Sequence, residues 1–276
     1  MAERVRLVFG HDGVATITLC HPPLNIYDLE MRDGLIEAIT AVRDVPDVRC
    51  VVLAAEGKHF SAGADLSEFG TADSIFDARR IRWDRDPWLP LVNLGVPTLC
   101  ALHGYALGSG LEMSLLCDLR IASTDAVLGL PETKLGMLPA AGGTQSLTAA
   151  IGPIAALPMV LSGRNIDAAE AQRLGIVCEV VSKDELDRRT AELAGQLARI
   201  DQPVARALRR CLRAANDLPL TEGLAVEQRC VQLIATASEA SAAAAAGAPS
   251  GADSQRETMQ NSEPSGSAMT VARKPR

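Results

Sequence analysis

The chain has 276 residues, 47% of them hydrophobic and 22% charged, and a formal net charge of −7. Such values suit a soluble globular protein with a large core, in one domain or two. The negative balance removes the electrostatic case for binding nucleic acid or an anionic membrane, yet leaves room for an anionic ligand held by local Arg, Lys and N–H groups. The N-terminal run Met1-Ala2-Glu3-Arg4-Val5-Arg6 has no apolar signal segment behind its charges, so a cytoplasmic location is expected. Val5–Phe9 and Val14–Cys20 read as strands joined by a turn at His11-Asp12-Gly13. Pro22 and Pro23 end the second strand, and Leu29, Leu35, Ile36, Ile39 and Val42 then recur at helical spacing. Cys50–Ala54, Thr98–Leu102, Leu119–Ala122 and Val127–Leu130 read as further short strands, with helical patterns between them that include Gly110–Cys117. Strands alternating with helices indicate an α/β core.

Residues 135–163 carry no charge, but Pro139, Pro153, Pro158 and five glycines interrupt them, so they read as buried loop and short helices rather than a membrane span. Beyond about residue 165 the character changes. Asp167–Leu174, Lys183–Ala198, Val204–Ala215 and Leu218–Ala237 look helical, with one short strand near Ile176–Val181. From Glu239 onward there is no Leu, Ile, Phe, Trp or Tyr, and the expectation is a disordered low-complexity tail over residues 239–276. The rest divides into an α/β core over residues 1–195 and a helical region over 196–238.

Seven cysteines without CxxC spacing argue against a disulfide framework or a zinc site, and Cys20, Cys50, Cys100, Cys117 and Cys178, beside apolar runs, suit buried free thiols. His11, His21, His59 and His103 share no metal-ligand spacing, so no metal is expected. His103 reads as a structural histidine.

Three segments could carry chemistry. Phe60-Ser61-Ala62-Gly63-Ala64-Asp65-Leu66 follows a strand and a glycine turn; it is either a tight strand-to-helix turn or a place where a ligand lies against the main chain. Gly104–Gly110 has neither P-loop nor dinucleotide spacing, which leaves a glycine loop feeding a helix N-terminus, an anion or oxyanion site. Glu112 lies in the first turn of that helix, where an acid can simply complement the dipole, but Leu111, Met113, Leu115 and Leu116 around it favour a buried carboxylate with a partner or a job. Glu132 follows Pro131, a common helix opening, and precedes the glycine-rich Pro139–Gln145 loop. Two carboxylates beside such N–H donors suit general acid–base work on a bound carbonyl compound.

Together these segments resemble the enoyl-CoA hydratase/isomerase (crotonase) superfamily. The matching pieces are Pro23-Leu24-Asn25, Phe60–Leu66, His103–Glu112, Cys117–Ala122 and Gly129–Glu132 through Pro139–Gln145, in family order from about residue 4 to 237. The resemblance implies a spiral of ββα units, a C-terminal helical trimerisation region, homotrimers or dimers of trimers, and acyl-CoA thioester substrates of the kind handled in fatty acid β-oxidation. It implies that the N–H groups of Ala64 and Ser109 form the oxyanion hole, that Ala62, Gly63, Asp65, Leu66, Gly108 and Ala140 line the substrate site, and that Glu112 and Glu132 are the catalytic pair. Both glutamates stand where hydratases hold them, which favours hydration of a 2-enoyl-CoA to the 3-hydroxyacyl-CoA. The alternatives are an isomerase or a cyclic dienoyl-CoA hydratase of the same fold, or an acyl-CoA-binding protein without turnover. CoA enters as part of the substrate, so no separate cofactor is expected. The chain departs from the family at Ser109 and Ala140, where glycine is frequent, at Ser67, where many members carry lysine, and in its C-terminal ending.

Overall fold

The computed structural model describes residues 3–68, 74 and 85–247, with side chains to residue 237. In chain order, β1 (Val5–Phe9) and β2 (Val14–Leu19) form a hairpin, and α1 (Leu29–Asp44) follows. Asp28 caps α1 by accepting from the Met31 N–H at 2.7 Å. Met31, Leu35, Ala38, Ile39 and Val42 give that helix its buried stripe. Next come β3 (Cys50–Ala55), a 3₁₀ turn at Leu66–Glu68 and the short α2 (Trp88–Val92). Then β4 (Thr98–Leu102), β5 (Tyr105–Leu107) and α3 (Ser109–Leu115) follow closely, and after them β6 (Leu119–Ser123), β7 (Val127–Gly129) and a 3₁₀ segment at Pro131–Leu135. The remainder is α4 (Gly143–Ser162), β8 (Asn165–Asp167), α5 (Ala168–Leu174), β9 (Glu179–Val181), a 3₁₀ turn at Lys183–Glu185, α6 (Leu186–Ala198), α7 (Gln202–Asp217) and α8 (Leu220–Gly247).

The main sheet has the order β1-β2-β3-β4-β6-β9, antiparallel only between β1 and β2. A second sheet, β5-β7-β8, is extended by a single parallel bridge between Ser61 and Ala106. Successive strands alternate between the two sheets, β4 to β5 and β6 to β7, so the chain climbs as a spiral. Every residue of β4 is buried, as expected of a parallel strand covered on both faces. On one face Cys50, Val52, Leu99, Ala101 and Ile121 meet Leu186, Ala194 and Ala198 of α6. On the other, Ile17, Leu53, Cys100 and Leu102 belong to the larger core with α1 and α3.

Several expectations need correction. The uncharged stretch does form a helix interrupted by glycine, since Gly152 (φ 74°, ψ 161°) breaks α4 ahead of Pro153. It is not buried, however. Among the described residues α4 is the one helix long and apolar enough to cross a membrane, and Ile154 (91% exposed), Leu157 and Leu161 lie on its surface. α8 continues past residue 238 to Gly247, because Ala242–Ala246 is a run of the strongest helix former. Residues 248–276 of the expected tail lie outside the described residues. One compact unit, Met1–Val231, includes α6, α7 and the start of α8. All seven cysteines are free; Cys50, Cys100 and Cys117 are buried, but Cys20 is half-buried and Cys178 exposed, because each follows the last inward-facing residue of its apolar run.

Candidate active site

The site begins where β3 ends. Asn25, fully buried and in the left-handed region (φ 47°), fastens the two loops that meet there. Its Oδ1 accepts from the His21 N–H at 2.7 Å, and its Nδ2 donates to the carbonyls of Glu56 at 2.8 Å and His59 at 2.7 Å. Asparagine tolerates this backbone region because its short polar side chain bonds locally. The Ala62 N–H adds a bond to the Leu24 carbonyl at 2.9 Å.

The following segment, Ser61–Asp65, is held on both sides. Ser61 exchanges bonds with β5: its N–H donates to the Tyr105 carbonyl at 2.9 Å and its carbonyl accepts from the Leu107 N–H at 3.0 Å. Across the other edge, Tyr27 donates to the Gly63 carbonyl at 2.9 Å and accepts from the Asp65 N–H at 3.0 Å. These bonds use the residues flanking Ala64, so the Ala64 N–H points away from Tyr27. The Ser61 hydroxyl accepts from the Gly63 N–H at 3.2 Å.

Gly63 (φ 105°) and Gly108 (φ 52°, ψ −126°) lie face to face; a Cβ on Gly63 would stand 3.1 Å from the Leu107 carbonyl oxygen and 3.7 Å from the Gly108 Cα. Neither position suits a side chain. Gly108 donates to the Gly129 carbonyl at 2.9 Å and is the N-cap of α3, so Ser109 supplies a first-turn N–H with no partner inside the helix. The sequence therefore brings Ala64 and Ser109 together from positions 45 apart through two glycines that permit close approach.

Glu112 is 2% exposed. Its Oε1 accepts from the Ala141 N–H and the Gly143 N–H, both at 2.9 Å, so the Pro139–Gly143 loop grips one oxygen and fixes the carboxyl. Gly143 has to be glycine, since a Cβ there would stand 2.8 Å from both Glu112 Oε1 and Pro139 Cβ. Glu132, in the 3₁₀ segment after β7, lies against the glycine turn that opens α3. A Cβ on Gly108 would meet Glu132 Oε1 at 3.2 Å. The other oxygen, Oε2, is buried and has no hydrogen-bond partner among the described residues. Burial raises the Glu132 pKa above the usual carboxylate range, against a smaller lowering by its own backbone N–H.

Of the other residues expected to line the site, Ala62 is tied to Leu24 through its N–H, and Gly63 and Gly108 face each other across the two loops. Ala140 is exposed at the lip of the loop that holds Glu112, and Leu66 is 55% exposed. Asp65 turns its carboxylate to Ser67, accepting from that residue's N–H at 2.8 Å and hydroxyl at 2.7 Å, bonds that hold its pKa low. His103 is buried with Nε2 3.2 Å from the Gly57 carbonyl oxygen, a structural role. No cluster of His, Cys, Asp and Glu suited to a metal ion occurs among the described residues. Sequence reasoning did not single out Asn25 or Ser61 as supports of the loop; a lone asparagine after Pro22-Pro23-Leu24, a residue able to adopt positive φ, was the available signal.

A family model described as enoyl-CoA hydratase/isomerase matches residues 10–247. The "Probable enoyl-CoA hydratase echA8" of Mycobacterium bovis is 36% identical over 230 residues, covering 83% of this chain and 89% of its own. The 2,3-dehydroadipyl-CoA hydratase of Escherichia coli K12 is 34% identical over 233 residues, covering 83% of this chain and 89% of its own. Among solved structures, an enoyl-CoA hydratase subunit from Geobacillus kaustophilus HTA426 superposes with a TM-score of 0.80 at 34% identity, over 89% of this chain and 95% of that one. The spiral of alternating strands is therefore the crotonase fold.

Proposed function

The chain belongs to the enoyl-CoA hydratase/isomerase family, and from that premise we propose that it adds water across the C2–C3 double bond of a 2-enoyl-CoA to give the 3-hydroxyacyl-CoA. The observation that carries the reading is the unequal state of the two glutamates. Glu112 has one oxygen gripped by two N–H groups, whereas Glu132 has a buried oxygen with no hydrogen-bond partner among the described residues and a raised pKa. Paired titratable groups in such different environments suit opposite roles in proton transfer.

In this reaction the thioester carbonyl oxygen sits between the N–H groups of Ala64 and Ser109. Each donor strengthens its bond as negative charge gathers on that oxygen, a contribution of about 3 kcal/mol per donor. Glu112 takes a proton from a water held between the carboxyls, and the water oxygen bonds to C3. The electron pair of the double bond moves to form an enolate stabilised by the two N–H groups. Glu132 gives its proton to C2, and proton exchange between the two carboxyls through water restores the starting state. The sum is one water added and nothing oxidised, so the reaction as written draws on no resident cofactor; CoA arrives with the substrate.

The exposed Ile154, Leu157 and Leu161 on α4 and Leu208, Leu212 and Leu220 on α7 and α8 support assembly with further copies of the chain, as trimers or paired trimers. Crotonyl-CoA supplies the test of activity. Loss of enoyl absorbance with formation of 3-hydroxybutyryl-CoA supports the reading. Binding without turnover, or conversion only of a 3-enoyl-CoA to the conjugated isomer, contradicts it. Ser109→Ala keeps the N–H and should change the rate by less than about tenfold, since loss of a donor outright costs about 10²–10³.

A further inference from the structure

A concave site lies at the other end of β4, about 13 Å of strand away from the glycine loops, taking four residue steps of about 3.3 Å. It is a cleft of about 520 Å³ between α7 and the turn that joins α2 to β4. That volume is in the range of small-molecule pockets. Its lining is unusually basic for a chain of net charge −7: Arg206, Arg209, Arg210 and Arg213 face it from one stripe of α7, and among the described residues Asp217 is the one acidic group lining it.

The four arginines divide into two pairs. Arg209 and Arg213 are committed to structure. Arg209 Nε donates to Asp118 Oδ2 at 2.7 Å, Arg213 reaches Asp118 Oδ1 at 3.4 Å, and both also donate to backbone carbonyls of the α2–β4 turn, at Leu94 and Val92. Asp118 in turn is anchored by the N–H and hydroxyl of Thr98 at 2.8 and 2.9 Å. This rigid cluster shares one carboxylate between two guanidinium groups and so remains positive. Arg206 and Arg210 have no acidic partner among the described residues, although they sit one helical turn apart, where like charges repel. With Asp118 and Asp217 both counted, four arginines leave the cleft with two positive charges in excess.

We propose that this cleft binds a small phosphorylated ligand through a diphosphate group, with Arg206 and Arg210 as its guanidinium forks and the Arg209–Asp118–Arg213 cluster as the fixed positive wall behind them. Guanidinium matches phosphate oxygens two bonds at a time, which a pair of forks on one helix face presents to adjacent phosphates. The site stands apart from the proposed reaction centre and does not depend on it.

Calorimetric titration of the full-length protein with inorganic diphosphate and, separately, with ADP tests the proposal. Saturable binding is expected for at least one probe, weakening as salt rises. In Arg206→Gln/Arg210→Gln the affinity should fall by at least about tenfold, the effect of one charge-assisted hydrogen bond, with kcat and KM for crotonyl-CoA unchanged. Equal affinity for the two probes identifies the bare diphosphate as the recognised group; tighter ADP binding shows that a nucleoside fills the rest of the cleft. Absence of saturable binding by both probes overturns the proposal, as does unchanged affinity in the double variant. A change of oligomeric state in that variant also overturns it, since the arginines would then serve contact between copies.

Discussion

At the scale of single residues, Glu132 carries the sharpest consequence. Its carboxyl is desolvated and Oε2 has no partner among the described residues, so folding favours the protonated form and raises the pKa. A carboxyl raised in this way binds more protons in the folded than in the unfolded state between the ordinary and the raised pKa, so stability falls as pH climbs through that window. Glu132→Gln removes the charge and keeps the shape. It should melt at a higher temperature than the parent at pH 7–8, and the gain should vanish as pH drops below the ordinary glutamate range. A variant no more stable at pH 8 than at pH 4, relative to the parent, would contradict the buried, unpaired carboxyl. Gly143 offers a steric test of the other glutamate. Its added Cβ would stand 2.8 Å from Glu112 Oε1, so Gly143→Ala should push the carboxyl from its two N–H donors and lower kcat by about 10²-fold, the cost of roughly 1 Å of misplacement. The two glutamates were legible in the sequence because each is an acid in an uncharged, glycine-rich setting. Asn25 was not: its bonds to Glu56 and His59 span 31 and 34 residues and depend on a positive φ that composition does not reveal.

At the scale of elements, the sequence marks the long, regular pieces and also β7 and β9, but misses β5 and β8. Thr98–Leu102 is read to the residue because a fully buried parallel strand is a continuous apolar run. β5 and β8, three residues each, lack the length to show a period, and their strand identity comes from pairing with β7. α4 was expected to be buried because apolar composition does not tell a core from a surface awaiting a partner. α8 runs into the expected tail because helix propensity, unlike core formation, needs no large side chain. Docking of α7 rests on Asp118, which joins Arg209 and Arg213 to the start of β4 through Thr98. Asp118→Ala should cost about 2 kcal/mol by urea denaturation, the range for lost charge-assisted hydrogen bonds, because two partly buried arginines lose their acid. A cost below about 1 kcal/mol would show that the backbone carbonyls of Val92 and Leu94 suffice to hold α7.

At the scale of the whole molecule, the fold class was legible from alternating strands and helices, and the family from the order of its motifs. Geometry adds how the spiral delivers the chemistry. Each turn ends near the same place, so the loop after β3, the glycine turn after β5 and the segment after β7 converge although they are distant in sequence. The central claim is that Glu112 and Glu132 serve one water as a unit. Crotonyl-CoA hydration rates for Glu112→Gln, Glu132→Gln and the combined variant test it most directly. Each single change should lower kcat by at least about 10²-fold, and the combined variant should be scarcely slower than the worse single one, as expected of groups that work together. Parental turnover in either single variant, or losses that multiply fully in the combined one, would contradict the account.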